Sequence, residues 1–333
     1  MAKNRPIPII ILLLSPIVII LAIVLSVIYG AKDININVIR DAFLNFDGEN
    51  VNHQIIMYSR IPRVIGALLI GAFLAISGAI MQGMTRNYLA SPSIMGVSDG
   101  SLFAITICMI FFPDTSSLNM IFYSFVGSAI GAGLVFGLAS LTPNGMSPVR
   151  LAIIGTITGS FLSSISAALS TYFQVSQNIS FWYNAKLHQI TPDKIKIIIP
   201  FAIIGIITSL IISKSITILS LGEEISISLG QNTKLIKIVA MGTVVILTGI
   251  SVALAGKIAF VGLIIPHIVR FFVGSDYRWI VPCSGVMGSI LLAFSDIISR
   301  FINYPFETPI GVVTSFIGVP FFLYLARTKG GKK

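Results

Sequence analysis

The chain has 333 residues, 55% of them hydrophobic and only 10% charged, with a mean hydropathy of +0.95. Soluble domains carry about 25% charged residues, so this composition cannot clothe a water-facing surface and excludes an ordinary soluble enzyme or binding domain. The net charge of +10 is no nucleic-acid footprint either, because the basic residues flank apolar runs instead of clustering among stacking aromatics.

With lipid as the solvent, every backbone N–H and C=O needs an internal partner, which leaves helices or closed barrels. Uninterrupted runs such as 195–212 and 237–254 are helical in length, unlike alternating strands of about ten residues. The expected fold is therefore all-α: one polytopic transmembrane domain over 1–333 with about ten helices. The first span, 8–29, follows Lys3 and Arg5. Its apolar run is longer than the roughly 7–15 residues of a signal-peptide core and no small-residue cleavage site follows, so it reads as a retained helix. A long loop over 30–63 contains an amphipathic piece, 38–44, suited to the membrane interface.

Spans two to five are expected at 64–83, 94–112, 120–141 and 151–172. The loop 173–195 carries Trp182 and Tyr183, aromatic types that anchor helices at headgroup level. Span six, 196–213, leads to a polar loop, 214–234, and spans at 236–256, 258–273, 279–301 and 309–326 complete the chain. Ala75-Ile76-Ser77-Gly78-Ala79-Ile80 resembles Ala253-Leu254-Ala255-Gly256-Lys257-Ile258, in spans that run in opposite directions. Helices 2–5 and 7–10 thus read as weak inverted repeats, a transporter feature. Lys and Arg are more numerous on the side of the termini. The other side, to which Arg40, Lys257 and Arg300 are assigned, is diluted by acids such as Asp41, Asp47, Glu49 and Asp114. The positive-inside rule then puts both termini in the cytoplasm of a multi-pass cell-membrane protein.

No constellation for catalysis or cofactor binding is present. The chain lacks a phosphate-binding G-x-x-x-x-G-K-[ST] loop, an H-E-x-x-H pair and a nucleophile elbow. Its histidines, His53, His188 and His267, are scattered, and no metal site is expected. Cys108 and Cys283 lie in apolar segments and read as buried, inert thiols. More informative is the stretch 222–230. A short helix there would begin on Glu223 and Glu224, favoured by the helix dipole, and stop at Gly230, which can adopt a left-handed conformation; composition alone favours a plain connecting loop. Asp296 and Arg300 stand one helical turn apart, which suits a structural ion pair. A rival reading, a secondary transporter driven by an ion gradient, needs an ionisable group near the bilayer midplane, and Asp99 near the start of the third span is its candidate.

Taken in order, several motifs carry a resemblance from about residue 58 onward. They are Arg60-Ile61-Pro62-Arg63, Ser77-Gly78-Ala79-Ile80-Met81-Gln82-Gly83, the 222–230 stretch, Gly262-Leu263-Ile264-Ile265-Pro266-His267-Ile268-Val269-Arg270, Asp296 with Arg300, and Pro309-Ile310-Gly311-Val312-Val313-Thr314. Together they resemble the iron–siderophore and vitamin B12 permeases of ABC importers, the FecCD type. Two departures stand out: Tyr88 occupies a position where the family commonly has Pro, and Trp182-Tyr183-Asn184-Ala185 replaces a motif with Trp, Gly and Ser.

The resemblance implies a ten-helix permease, not itself an enzyme, that pairs with a second permease subunit, identical or related, around a central path. Two cytoplasmic ATPase subunits drive it, and an extracellular substrate-binding lipoprotein delivers the ligand. It assigns ATPase coupling to Gly222, Glu223, Glu224, Ser226 and Gly230, and docking of the binding protein to Arg60, Arg63 and Arg300. Gly78 and Gln82 would belong to the translocation path and Ser147, Pro148 and Val149 to its cytoplasmic gate. The closing run 301–309 looks like Gram-positive ferric-hydroxamate permeases, so a ferric hydroxamate siderophore is the expected cargo. Iron wrapped in its chelator asks for no metal ligands or cofactor from the protein.

Overall fold

The computed structural model describes residues 6–30, 34–88, 90–142, 147–184, 187–304 and 306–330. Lys3, Arg5, Lys332 and Lys333 of the charge argument, and Ala185 and Pro305 of the motifs, lie outside them. Among the described residues the protein is helical throughout, with no strand beyond one isolated bridge between Asn303 and Phe306.

α1 (Pro6–Ile28) is followed by the short amphipathic α2 (Ile36–Leu44), which Asn35 caps by accepting a bond from the Asn37 amide at 3.0 Å. This matches the interfacial piece expected from its pattern. α3 (Val51–Gln54) runs through a π-helical turn, Ile55–Arg60, into α4 (Ile61–Thr85). Then come α5 (Val97–Phe111), α6 (Ser117–Leu141), α7 (Pro148–Tyr172) and the short α8 (Ser176–Tyr183). α9 (Pro192–Leu221) is 30 residues long, so residues 214–221, expected in a polar loop, instead prolong the sixth span. α10 (Glu223–Ser228), α11 (Thr233–Ala255), α12 (Val261–Val273), α13 (Tyr277–Phe301) and α14 (Ile310–Gly330) complete the chain.

Each of the ten expected spans coincides with a helix. Seven are long and apolar enough to cross a membrane, while α5, α12 and the apolar part of α14 are shorter. At 1.5 Å per residue, the 15 residues of α5 and 13 of α12 reach about 22 and 20 Å, less than the roughly 30 Å of hydrocarbon. Both are entered through a left-handed residue, Gly96 at φ +70° and Phe260 at φ +69°. Each half of the chain thus holds one short helix with the same kind of broken entry.

α4, α11 and α13 are the most buried helices, and α1 the most exposed. Small residues let the central ones approach closely, as membrane helices lacking a hydrophobic drive between them require. A Cβ on Gly78 would run into the backbone carbonyl of Gly262, which makes glycine obligatory at that crossing of α4 and α12. Cys108 and Cys283 are buried, as expected.

One end of the bundle carries α10. There the Tyr277 amide donates to Thr217 Oγ1 at 2.9 Å, Arg270 Nη2 donates to the Tyr277 hydroxyl at 2.9 Å, and the Arg270 guanidinium stacks 4.2 Å from the Tyr88 ring. The opposite end carries α2, Arg60, Arg63 and Arg300.

Candidate functional sites

The three arginines converge where α1 ends. Arg63, on α4, grips Asp296 of α13 from two sides, with Nε 3.0 Å and Nη2 2.8 Å from Oδ1, and its Nη1 donates to Glu307 Oε1 at 2.6 Å. Arg300 pairs with Asp296 Oδ2, which is the structural ion pair expected one helical turn away. It also donates at 2.8 Å to the carbonyls of Ser26 and Tyr29 and to the Ser26 hydroxyl. Arg60 Nη1 donates to the carbonyls of Val27 and Ile28.

Three of these carbonyls belong to the last turn of α1, where they lack intrahelical partners and where the helix dipole favours a cation, and that of Tyr29 follows it. Three cations and the buried Asp296 therefore share one cluster with Glu307 at its exposed rim, the excess positive charge being answered by helix-end carbonyls. All three arginines are 5–7% exposed. Expected to offer themselves to a partner's carboxylates at the outer surface, they have guanidinium groups that are turned inward and engaged by their own chain. Beside the cluster stand two exposed polar residues, Glu307 and His188, whose Nδ1 lies 3.4 Å from Glu307 Oε2. The His188 ring and the Arg63 guanidinium hold the Glu307 carboxyl down to about 2.

The 222–230 stretch folds as read. α10 starts at Glu223, and Gly230 ends the turn at φ +79°. Glu223 pairs with Lys237 of α11 at 2.7 Å, a contact that holds its carboxyl below the ordinary range. The buried Ser226 hydroxyl lies 2.5 Å from Gln231 Oε1 and ties the turn to the start of α11. Glu224 is exposed, and so are Ile225, Ile227 and Leu229 at 47%, 58% and 61%. The exposed apolar side chains alternate with Ser226 and Ser228, so the sequence marks the helix by its ends and not by a helical period.

Gly78 and Gln82 do not line an opening in this chain. Gly78 abuts Gly262, and Gln82 is fully buried, its Nε2 donating to the Leu263 carbonyl at 3.1 Å while its Oε1 accepts from Arg270 at 3.4 Å. α4 is a central packing helix, so most of its small residues serve helix approach and not passage. Ser147 precedes α7, Pro148 opens it, and Val149 is exposed on its first turn. Farther along, α7 exposes Thr156, Ser160, Ser164 and Ala168, a stripe of small and hydroxyl side chains at helical spacing.

A cavity of about 730 Å³ lies between α14, the break joining α11 to α12, and the end of α8. Sequence reasoning missed it because its walls are three segments far apart in the chain. Lys257, assigned above to the outer side, instead lies in that break and lines the cavity. Trp182, expected as a headgroup anchor, is half-buried beside Lys194, whose Nζ stands 6.0 Å from its ring.

Comparison with known proteins agrees with this architecture. The chain is 62% identical over 97% of both chains to "Iron-uptake system permease protein FeuB" of Bacillus subtilis. It is 48% identical to "Iron(3+)-hydroxamate import system permease protein FhuB" of the same organism, over 91% of this chain and 79% of that one. A solved inward-facing structure assigned to the metal-chelate type ABC transporters superposes with a TM-score of 0.84 at 26% identity, covering 96% of this chain and 99% of the other. The model of the FecCD transport family matches residues 18–328, and the chain belongs to that family, as a transport permease of the ABC type.

Proposed function

We propose that this permease is the membrane subunit of an ATP-driven importer of ferric siderophores, the hydroxamate type first, with both termini in the cytoplasm. The observation that carries the reading is α10: a short helix beyond the span ends on which Ile225 and Ile227, with Leu229 just after it, are exposed among the described residues. Exposed apolar side chains on a helix outside the membrane call for a protein groove, and the cleft of a cytoplasmic ATPase subunit is the occupant that family membership supports.

Two such ATPases, a second permease subunit, identical or related, and an extracellular binding lipoprotein would complete the assembly. The binding protein would dock on the opposite end, where the arginine cluster fixes the surface and Glu307 and His188 present polar groups. Membrane vesicles holding the permease with its ATPase and binding protein should accumulate radioactive iron supplied as a ferric hydroxamate only when ATP is present. Accumulation driven by an ion gradient without any ATPase would overturn the reading in favour of a secondary transporter.

A further inference from the structure

Lys194 is a buried cation with no acid to answer it. It sits in the first turn of α9 and is 8% exposed. The adjacent Asp193 is exposed and pairs instead with the exposed Lys196, at 3.2 Å. Among the described residues the Lys194 ammonium meets the Gln189 carbonyl, to which Nζ donates at 2.9 Å, and the Trp182 ring at 6.0 Å. A carbonyl and a ring face supply partial charge, whereas a buried ion calls for a full counter-charge.

Beside it lies a second cavity, of about 460 Å³, between the end of α5, the start of α6, α8 and the turn 187–189 that leads into α9. The volume is in the range of small-ligand sites. Lys194 lines it together with the amides of Asn178 and Gln189 and the apolar Met109, Phe112 and Phe181, and no carboxylate is among its described walls. Lys194 and the exposed Lys214 bracket the apolar run of α9. At 1.5 Å per residue they stand about 30 Å apart, the thickness of the hydrocarbon layer, so the buried lysine is at its boundary with the headgroups. Farther along, Phe125 of α6 and Phe201 of α9 pack with ring centroids 5.3 Å apart, and both helices expose apolar side chains, Phe122 and Ile197 among them.

We propose that this cavity binds an anionic phospholipid, its phosphate held by Lys194 and its chains lying on the apolar faces of α6 and α9. Basic pockets between membrane helices suit anionic headgroups, and phosphate is the abundant anion at this depth. A lipid with a neutral head, such as a phosphoglycerol, brings the missing negative charge. A zwitterionic lipid would add a second cation where no carboxylate lines the wall. The two amides can both donate to and accept from the hydroxyls of a glycerol head. Free phosphate would carry the charge but leave Met109, Phe112 and Phe181 uncovered. The site does not depend on what the permease carries.

Native mass spectrometry of the full-length permease in detergent, titrated with phosphatidylglycerol or with phosphatidylcholine of the same chains, would test this. The wild type should hold one phosphatidylglycerol per chain about tenfold more tightly than phosphatidylcholine. Lys194→Met should remove that preference, a loss of about tenfold being expected for one charge-assisted hydrogen bond. Lys194→Arg, which keeps the charge, should retain it and shows that the loss is not misfolding. Lys196→Met should bind as the wild type does, and millimolar inorganic phosphate should not displace the lipid. Five results would each overturn the proposal: no preference in the wild type, an unchanged Lys194→Met, a Lys194→Arg as weak as Lys194→Met, an equal loss in Lys196→Met, or displacement by free phosphate.

Discussion

Asp296 accepts hydrogen bonds from Arg63, 233 positions away in the chain, and from Arg300, one turn onward. All three are buried, so the carboxylate neutralises charge that no water can reach. Breaking a buried pair from one side leaves an uncompensated ion and typically costs about 3–5 kcal/mol. Asp296→Asn should therefore lower the thermal midpoint of the detergent-purified permease sharply, whereas Lys196→Ala, in an exposed pair with Asp193, should change stability by less than about 0.5 kcal/mol. Equal midpoints for the two variants would show that the cluster is not what fixes the end of α1. The sequence disclosed the Asp296–Arg300 pair because a helix places residues four apart on one face. It could not disclose the Arg63 contact, nor that the carbonyls at the end of α1 would draw Arg60 and Arg300 inward, since those partners meet only in the folded bundle.

At the scale of the element, α10 shows why a six-residue helix was legible from its caps. Acidic residues at its start and a glycine at its end are local signals, and both operate as expected. The orientation of its side chains was not legible, because with so few residues no period emerges. α5 and α12 were legible as spans of their own, 94–112 and 258–273, but the positive-φ backbone at Gly256 and Phe260 that makes the break before α12 was not. If Ile225 and Ile227 enter a groove on the ATPase, replacing both with Asp should abolish transport and co-purification of the ATPase while the permease still inserts and melts normally. Burying such a side chain contributes about 1.5–3 kcal/mol, so each single replacement should weaken the complex at least tenfold. Glu223→Gln should do less, because its partner is Lys237 within the same chain and the pair is partly exposed. Full co-purification of the ATPase with the double variant would remove α10 from the interface.

For the whole molecule, the question is where a bulky chelate can pass. Composition, span positions and family likeness were all readable before the fold was known, and they led to small, neutral residues of α4, α7 and α14 as the lining. The packing of α4 argues for the other two. α4 is enclosed by α11, α12 and α13, with Gly71 against Gly288 and Gly78 against Gly262, so a passage there would have to part the core of the subunit. Interiors are close-packed and give way as bistable wholes, not by local stretching. α7 and α14 instead have exposed faces, one carrying Thr156, Ser160 and Ser164 and the other bordering the cavity at Ser315 and Phe316. Facing the same surfaces of a second subunit, they would enclose a path whose neutral hydroxyls hold no ligand tightly. Single cysteines at Thr156, Ser160 and Ser164 should therefore react with a water-soluble maleimide at rates that differ at least severalfold between the nucleotide-free and ATP-trapped complex. Cysteines at Ala75 and Ala79 on α4 should stay protected in both states. The reverse pattern, with α4 labelled in a state-dependent way and α7 unchanged, would return the path to α4 and require its core packing to open during each cycle.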